Sequence, residues 1–388
     1  MLSLFVGNAR DNVTISRIEL LKMIDGLLGR LIAYSLPVSR GGVLVTEPRS
    51  LLVIRPGGIG DAVLLLPTLA ALKGRFPEAR ITVLAERRNA AIFDLSPALD
   101  RLLLYDKPRE LLTAVRGRYD LVIDSEQWHR LSAVVARLTM ATTRIGYGTN
   151  ERARLFTHPL SYRQDDYEAL SFLRLLEPLG ITPPATITVP FLVIPQETKK
   201  RAAALLAPLA GRDYLLLFPG ASIPERRWGG ERFEALARRL EGEGWSIVVV
   251  GGGEDVAAGA LIAGDSGLNL AGESTLVETA AIIAGAQLLV SGDSGLLHLA
   301  VGLGIPTVSL FGPGRQEKWG PRGKGDAVIN HQFTCSPCTT FGSTPECPLQ
   351  ARCMAEISVD ELLHAALRRL REKSGIRNKP LDIIPLFR

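Results

Sequence analysis

Four polar clusters in the chain have residue types and spacings suited to chemistry. In RPGGIGDAVLLLP, residues 55–67, the carboxylate of Asp61 stands between a glycine-rich loop and an apolar helical pattern. An aspartate there can cap the helix, a contribution of about 1 kcal/mol over alanine. Alternatively, as a charged group favoured by the positive helix end, it can accept a proton from a substrate hydroxyl. In FPGASIPERRWGG, Gly220 permits a close backbone turn, Ser222 offers a hydroxyl, and Arg226 and Arg227 offer fixed positive charge for a diphosphate. In VVVGGGED, Glu254 can accept from ribose hydroxyls or simply favour the start of the next helix. In VSGDSGLLHLA, Asp293 can hold sugar hydroxyls, and Ser294 with the Gly295 amide can meet phosphate at a helix start. His298 lies one turn further on and reads equally as a packed structural histidine.

These clusters require strands and helices to position them. From residue 51 the chain alternates short β-branched or leucine-rich runs with longer helical patterns. LLVIR, ARITVLAE and YDLVIDSE come first; DYLLLFPGAS, WSIVVVGGGED, QLLVSGDSG and IPTVSLFGPG follow a proline-rich passage at 180–200. That rhythm predicts an α/β chain with parallel sheets covered by helices, in two Rossmann-like units. Ligands then belong at the carboxyl ends of the strands, where all four clusters fall. The expected divisions are an extension at 1–48, a first domain at 49–190, a second at 191–357, and a helix and tail at 358–388. Ser358 and Glu361 have capping-box spacing at the start of the last helix.

Composition narrows the class of protein. The 388 residues carry 46% hydrophobic and 22% charged side chains, 38 glycines and a net charge of +5. These are globular values, and the modest charge with no basic array argues against a nucleic-acid binder. No secretory leader is read at the start of the chain. The apolar run around IELLKMIDGLLGRLIAYSL is broken by Lys22, Asp25 and Arg30, so it predicts an amphipathic helix and not a membrane span. Its stripe of Ile18, Leu21, Ile24, Leu28, Leu31 and Ile32 suits packing on the protein's own body or lying on a membrane surface.

The segments IRPGGIGDAVLLLPTLAALKGRFP, FPGAS with ERRWGGERFEALA, and VSGDSGLLHLAVGLGIPTVSLFGP resemble the signature segments of glycosyltransferase family nine, the ADP-heptose:lipopolysaccharide heptosyltransferases. They occur in the family's order from about residue 50 to the final helix. The resemblance implies a GT-B fold: two Rossmann-like domains facing each other across a cleft, acceptor on the first, nucleotide-sugar on the second. It implies an inverting transfer without a catalytic metal, in the cytoplasm and peripherally on the inner face of the inner membrane. The implied partners are an ADP-heptose donor and a lipid-linked core oligosaccharide acceptor. Asp61 matches the family's catalytic aspartate, and Arg226 the diphosphate-binding basic residue, where lysine is usual. Glu254 matches the ribose contact loosely. Asp293 matches the acid beneath the sugar hydroxyls, with Ser294, Gly295 and His298 completing that motif.

For the acceptor, Gly58, Arg87 and Arg144 are the expected first-domain contacts, with Arg88, Arg152 and Arg154 as further basic candidates and Trp128 beside His129 lining the cleft or merely packing. All four cysteines, Cys335, Cys338, Cys347 and Cys353, fall in one short stretch, C-x2-C-x8-C-x5-C. That spacing suits a structural zinc or iron held by four thiolates, or else a loop of reduced thiols. The rival readings are another nucleotide-sugar enzyme such as an epimerase, a family member with a different donor or acceptor, and a nucleotide-sugar-binding protein without turnover.

Overall fold

The structure, a computed structural model, describes residues 24–39 and 41–373. It contains two six-stranded, all-parallel sheets. The first comprises β1 (Ser50–Arg55), β2 (Arg80–Ala85), β3 (Arg101–Leu104), β4 (Leu121–Asp124), β5 (Thr143–Tyr147) and β6 (His158–Leu160). The second comprises β7 (Tyr214–Phe218), β8 (Ser246–Val249), β9 (Leu268–Asn269), β10 (Leu288–Gly292), β11 (Thr307–Leu310) and β12 (Ala327–Ile329). Strand order is 3-2-1-4-5-6 in the first sheet, and the second repeats it as 9-8-7-10-11-12. Each sheet therefore has a topological switch point, between β1 and β4 and between β7 and β10, where a crevice opens at the strand ends.

The central strands are buried on both faces, as parallel strands sandwiched by helices must be: Leu51 to Ile54 and Leu215 to Leu217 are inaccessible. The helices that matter below are α1 (Arg30–Ser35), α2 (Ile59–Arg75), α3 (Arg130–Leu138), α4 (Glu168–Arg174), α5 (Gly295–Leu303), α6 (Gln316–Trp319) and α7 (Val359–Lys373). The start of α7 is the expected capping box: Ser358 Oγ accepts from the Glu361 amide, and the Glu361 carboxylate accepts from the Ser358 amide at 2.7 Å.

The N-terminal extension is tied to the first lobe by a buried carboxylate. Asp25 accepts hydrogen bonds from the backbone N–H groups of Arg130 and Leu131, both at 2.8 Å, so it caps α3 from 105 residues away. Burial alone would raise its carboxyl, but these bonds and His129 hold it below the ordinary value. The predicted apolar stripe is only partly realised. Its positions 18–23 lie outside the described residues, and a π-turn at Asp25–Gly29 shifts the helical register ahead of α1. Ala33 and Ile32 face the lobe, whereas Leu27, Leu28, Leu31 and Tyr34 are all more than half exposed.

A buried pair fixes the loops after β4 and β5. Arg152 Nη2 meets Asp124 Oδ2 at 2.9 Å with both side chains inaccessible, and the guanidinium also donates to Glu126 O, Tyr147 O and Ser132 Oγ. Removing one member of such a pair strands the other charge. Arg152→Ala is expected to destabilise the protein by about 3–5 kcal/mol, read as a lower denaturant midpoint at unchanged slope; a loss below about 1 kcal/mol would show that Asp124 is solvated instead.

Candidate active site

The first lobe presents its chemistry at the β1 and β4 ends. Gly57 has φ +108, a conformation that glycine adopts freely, and the chain then enters α2 at Ile59. Asp61 is the third residue of α2, but no side chain caps that helix; Gly58 holds the cap position. The carboxylate instead turns toward the loop. Its Oδ2 would lie 2.9 Å from a Cβ at position 58, its Oδ1 is 3.4 Å from Gln127 Nε2 and 3.9 Å from Arg55 Nη1, and its side chain is 22% exposed. The two readings of Asp61 are thus separated: it is not a cap, and part of it faces solvent.

Arg55 lies buried beneath it, paired with Glu126 at 3.0 Å and donating to Ser125 O and Pro56 O. Desolvation opposes its charge, but Asp61 and Glu126 together hold the guanidinium pKa above the ordinary value.

The second lobe presents its chemistry at the β7 and β10 ends. Asp293 follows β10, and Ser294 caps α5, its Oγ accepting from the Leu297 amide at 3.2 Å and sharing a hydrogen bond with Ser291 Oγ at 2.9 Å. Ser294 is therefore partly engaged in the helix start, leaving the Gly295 amide end as the clearer anion site. Arg226 Nη1 stands 2.8 Å from Asp293 Oδ2, both largely buried. Gly314 makes room for that carboxylate, since a Cβ there would fall 2.2 Å from Oδ2. Gly220 is likewise obliged to be small, by the buried Asp255, whose carboxylate accepts from the Gly252 amide. Ser222 and Glu254 are exposed at the rim.

Arg226 Nε, Asp293 Oδ2 and His298 Nδ1 are buried without a hydrogen bond of good geometry. Buried polar atoms are nearly always satisfied; Asp293 Oδ2 has its ion pair with Arg226, so the Arg226 Nε and His298 Nδ1 atoms are the ones free to meet a polar ligand. Burial dominates the His298 imidazole and lowers its pKa, although Asp293 and Asp61 pull the other way.

The lobes touch. Gly60 faces His298 so closely that a Cβ would lie 2.5 Å from the ring, and a Cβ at Gly295 would lie 2.7 Å from Ile59. The expected cleft is thus closed at its centre, with the N-termini of α2 and α5 in contact. A buried ion pair adds a second link: Lys318 of α6 reaches Glu168 of α4 at 2.7 Å and donates to Arg163 O and Asp166 O. Gln127 then bridges, its Nε2 bonding to both Glu168 Oε1 and Asp61 Oδ1. Desolvation raises the Glu168 pKa against the pull of Lys318. Sequence reasoning missed Arg55, Gln127, Glu168 and Lys318; only Arg55, a charge closing an apolar strand beside Asp61, left a local signal.

Other expectations are corrected. Arg144 is buried, donating to Leu155 O, Ala141 O and Ser39 Oγ, because it staples the extension to β5; it does not face an acceptor. Arg152 is the structural pair described above. Arg87 points outward to Asp106 at 3.8 Å, while Arg88 is the residue near the Gly57 loop. The four cysteines share one loop and raise one another's pKa after burial does so, at Cys338 and Cys353. They run from exposed Cys335 to buried Cys353, and among the described residues no three metal-ligating side chains gather closely enough to hold an ion. The expected structural zinc or iron is therefore unsupported.

Residues 109–347 match the family described as Glycosyltransferase family 9 (heptosyltransferase), well over half of the chain. The chain belongs to glycosyltransferase family 9. It is a glycosyltransferase with two Rossmann-like lobes in GT-B arrangement. It is 26% identical over 291 residues to lipopolysaccharide heptosyltransferase 3 of Escherichia coli, covering 68% of this chain and 83% of that one. Its fold is similar to a family 9 glycosyl transferase of Veillonella parvula (TM-score 0.72, 21% identity, 85% and 99% covered). It is similar also to E. coli ADP-heptose lps heptosyltransferase II (TM-score 0.70, 23% identity, 84% and 99% covered). Among the described residues of this glycosyltransferase no helix is long and apolar enough to cross a membrane.

His298 gives the site a pH signature. The unfolded imidazole takes up its proton as pH falls through about 6.5, whereas the folded one, with a lowered pKa, stays neutral to lower pH. Stability should therefore decline as pH falls below about 6.5, and His298→Gln should flatten that slope when thermal midpoints are compared between pH about 7.5 and about 5.5. An unchanged slope would place the titration elsewhere.

Proposed function

We propose that the protein transfers a heptose from ADP-heptose to a hydroxyl of a lipopolysaccharide core acceptor, with inversion and with Asp61 as general base. The observation that carries this is the meeting of α2, which bears Asp61, with the start of α5, which follows the Asp293 that pairs with Arg226. The diphosphate lies at the α5 N-terminus, contacted by the Gly295 amide and by Arg226, whose fork suits two phosphate oxygens. Asp293 and His298 face the sugar, and Ser222, Gly220 and Glu254 border the nucleotide. As the acceptor oxygen bonds to the anomeric carbon, the bond to the diphosphate breaks, ADP departs, and the acceptor proton passes to Asp61. Neither step draws on a metal. Entry of the donor requires the α2–α5 contact to open and reclose, the gating expected of an enzyme that excludes water around its reaction.

The related heptosyltransferases named above support this donor and acceptor. Asp61→Asn is expected to lower kcat about 10²–10⁴-fold, the usual weight of a positioned base. ADP-heptose should still raise its thermal midpoint as in the parent protein, because ligand bound to the native state stabilises by mass action. Turnover within about threefold of the parent would remove Asp61 from the proton transfer. A larger midpoint shift with UDP- or GDP-sugars than with ADP-heptose would reassign the donor.

We also infer peripheral contact with the inner face of the inner membrane, where a lipid-linked acceptor resides. The exposed Leu27, Leu28, Leu31 and Tyr34 form the apolar side, and the extension is pinned to the acceptor lobe by Asp25. Leu27→Glu with Leu31→Glu should markedly reduce co-sedimentation with vesicles of mixed zwitterionic and anionic lipid while leaving turnover on a deacylated acceptor intact. Equal sedimentation of both proteins would move the contact elsewhere.

A further inference from the structure

The cysteine loop ends in a feature that neither sheet requires. Thr340 and Ser343 exchange backbone hydrogen bonds at 2.9 Å, closing a tight hairpin whose tip is Phe341-Gly342. Gly342 has φ +71, and Phe341 itself has φ +46. A bulky aromatic residue in the left-handed region is an outlier, held there only when its surroundings over-determine it. Those surroundings belong to the other lobe: the Phe341 ring stacks on Trp128 at 4.3 Å and 22°, with Tyr162 at 6.0 Å. Trp128 follows β4, and Tyr162 donates to Glu168, the partner of Lys318. The hairpin thus reaches across from the second lobe to the first.

Beside this stack is a cavity of about 290 Å³. Three separate segments build it: Asp25 and Gly26 of the extension, Trp128 with Arg130 after β4, and Phe341 with its hairpin neighbours. The chain links it to the candidate reaction centre: Gln127, the residue before Trp128, hydrogen-bonds Asp61. Trp128 and Phe341 give it apolar surface, Asp25, Arg130, Thr340 and Ser343 give it polar groups, and its size suits a single ring.

We propose that this cavity is the subsite for a sugar ring of the acceptor, lined along one side by the stacked Trp128–Phe341 pair, which rests on the transferase reading above. Phe341 is contributed by the donor lobe, so the subsite is complete only when the lobes are together. The acceptor ring is thereby recognised in the closed molecule, one residue along the chain from the Gln127–Asp61 hydrogen bond. Trp128, 37% exposed, keeps surface available for such stacking.

The test uses the full chain with deacylated core oligosaccharide as acceptor. Phe341→Ala and Trp128→Ala should each raise the acceptor KM about tenfold, a loss of the size of one aromatic contact. The midpoint shift with ADP, and hydrolysis of the donor without acceptor, should stay as in the parent. Phe341→Tyr should restore the parent KM, which a merely structural defect would not allow. An acceptor KM within about twofold of the parent in both alanine variants would overturn the proposal. So would an effect confined to the acylated acceptor, which would make the cavity a lipid site, or a loss of ADP binding in parallel, which would make the hairpin a general brace. Calorimetric titration of the oligosaccharide against Asp61→Asn separates the two readings: retained binding that Phe341→Ala weakens about tenfold upholds the subsite even where the chemistry of Asp61 fails. No binding by either protein sinks the subsite itself.

Discussion

The contact between the N-termini of α2 and α5 is the constraint on which the rest of the molecule depends. Each terminus carries the partial positive charge of its helix, so bringing two together creates a small region that favours anions. Asp61 and Asp293 supply negative charge on either side of it, and Arg226 balances the latter. Close approach is possible only because Gly60 and Gly295 carry no side chain where the helices touch. Two doubly wound sheets with the same strand order place both switch points against each other, and that geometry brings residues more than 200 positions apart into one centre.

Behind the contact runs a line of polar groups from one lobe to the other, all buried but Asp61: Lys318, Glu168, Gln127, Asp61, Arg55 and Glu126. Desolvating such charges is expensive, and an apolar replacement would often be as stable. Their value is directional. Gln127 and Arg55 approach Asp61 from the protein side, leaving its outer edge open to solvent, while Lys318 and Glu168 join the two lobes. His298, neutral and wedged against Gly60, fills the centre without adding a charge that the site would have to compensate.

Much of this was legible in the residues. Seven strands, β1, β2, β4, β7, β8, β10 and β11, announced themselves as apolar runs, because a parallel strand buried on both faces leaves no alternation to obscure it. β3, β5, β6, β9 and β12 did not; all but β5 are edge strands, and β6, β9 and β12 are only two or three residues long. Asp293 could be named because it directly follows a strand end, and Asp61 and Arg226 because each lies in the glycine-bearing passage a few residues beyond one. Arg144 misled because an arginine in a polar stretch looks solvated, whereas its guanidinium is occupied by carbonyls brought from Ala141 and Leu155. Lys318 and Glu168 were invisible, since their meaning lies in a pairing across 150 residues. The cysteine spacing suggested an ion; the fold instead uses the loop to carry Phe341 to Trp128.

The decisive measurement is kinetic and uses a wedge between the helices. Gly60→Val places branched carbon where His298 now lies, and a Cβ alone would already come within 2.5 Å of that ring. With the lobes held apart, ADP should bind the second lobe with unchanged affinity while sugar transfer at saturating donor and acceptor falls by at least about a hundredfold, the weight of a lost proton acceptor. Undiminished transfer by a correctly folded Gly60→Val protein would mean that the two helix ends need not meet for the reaction to proceed.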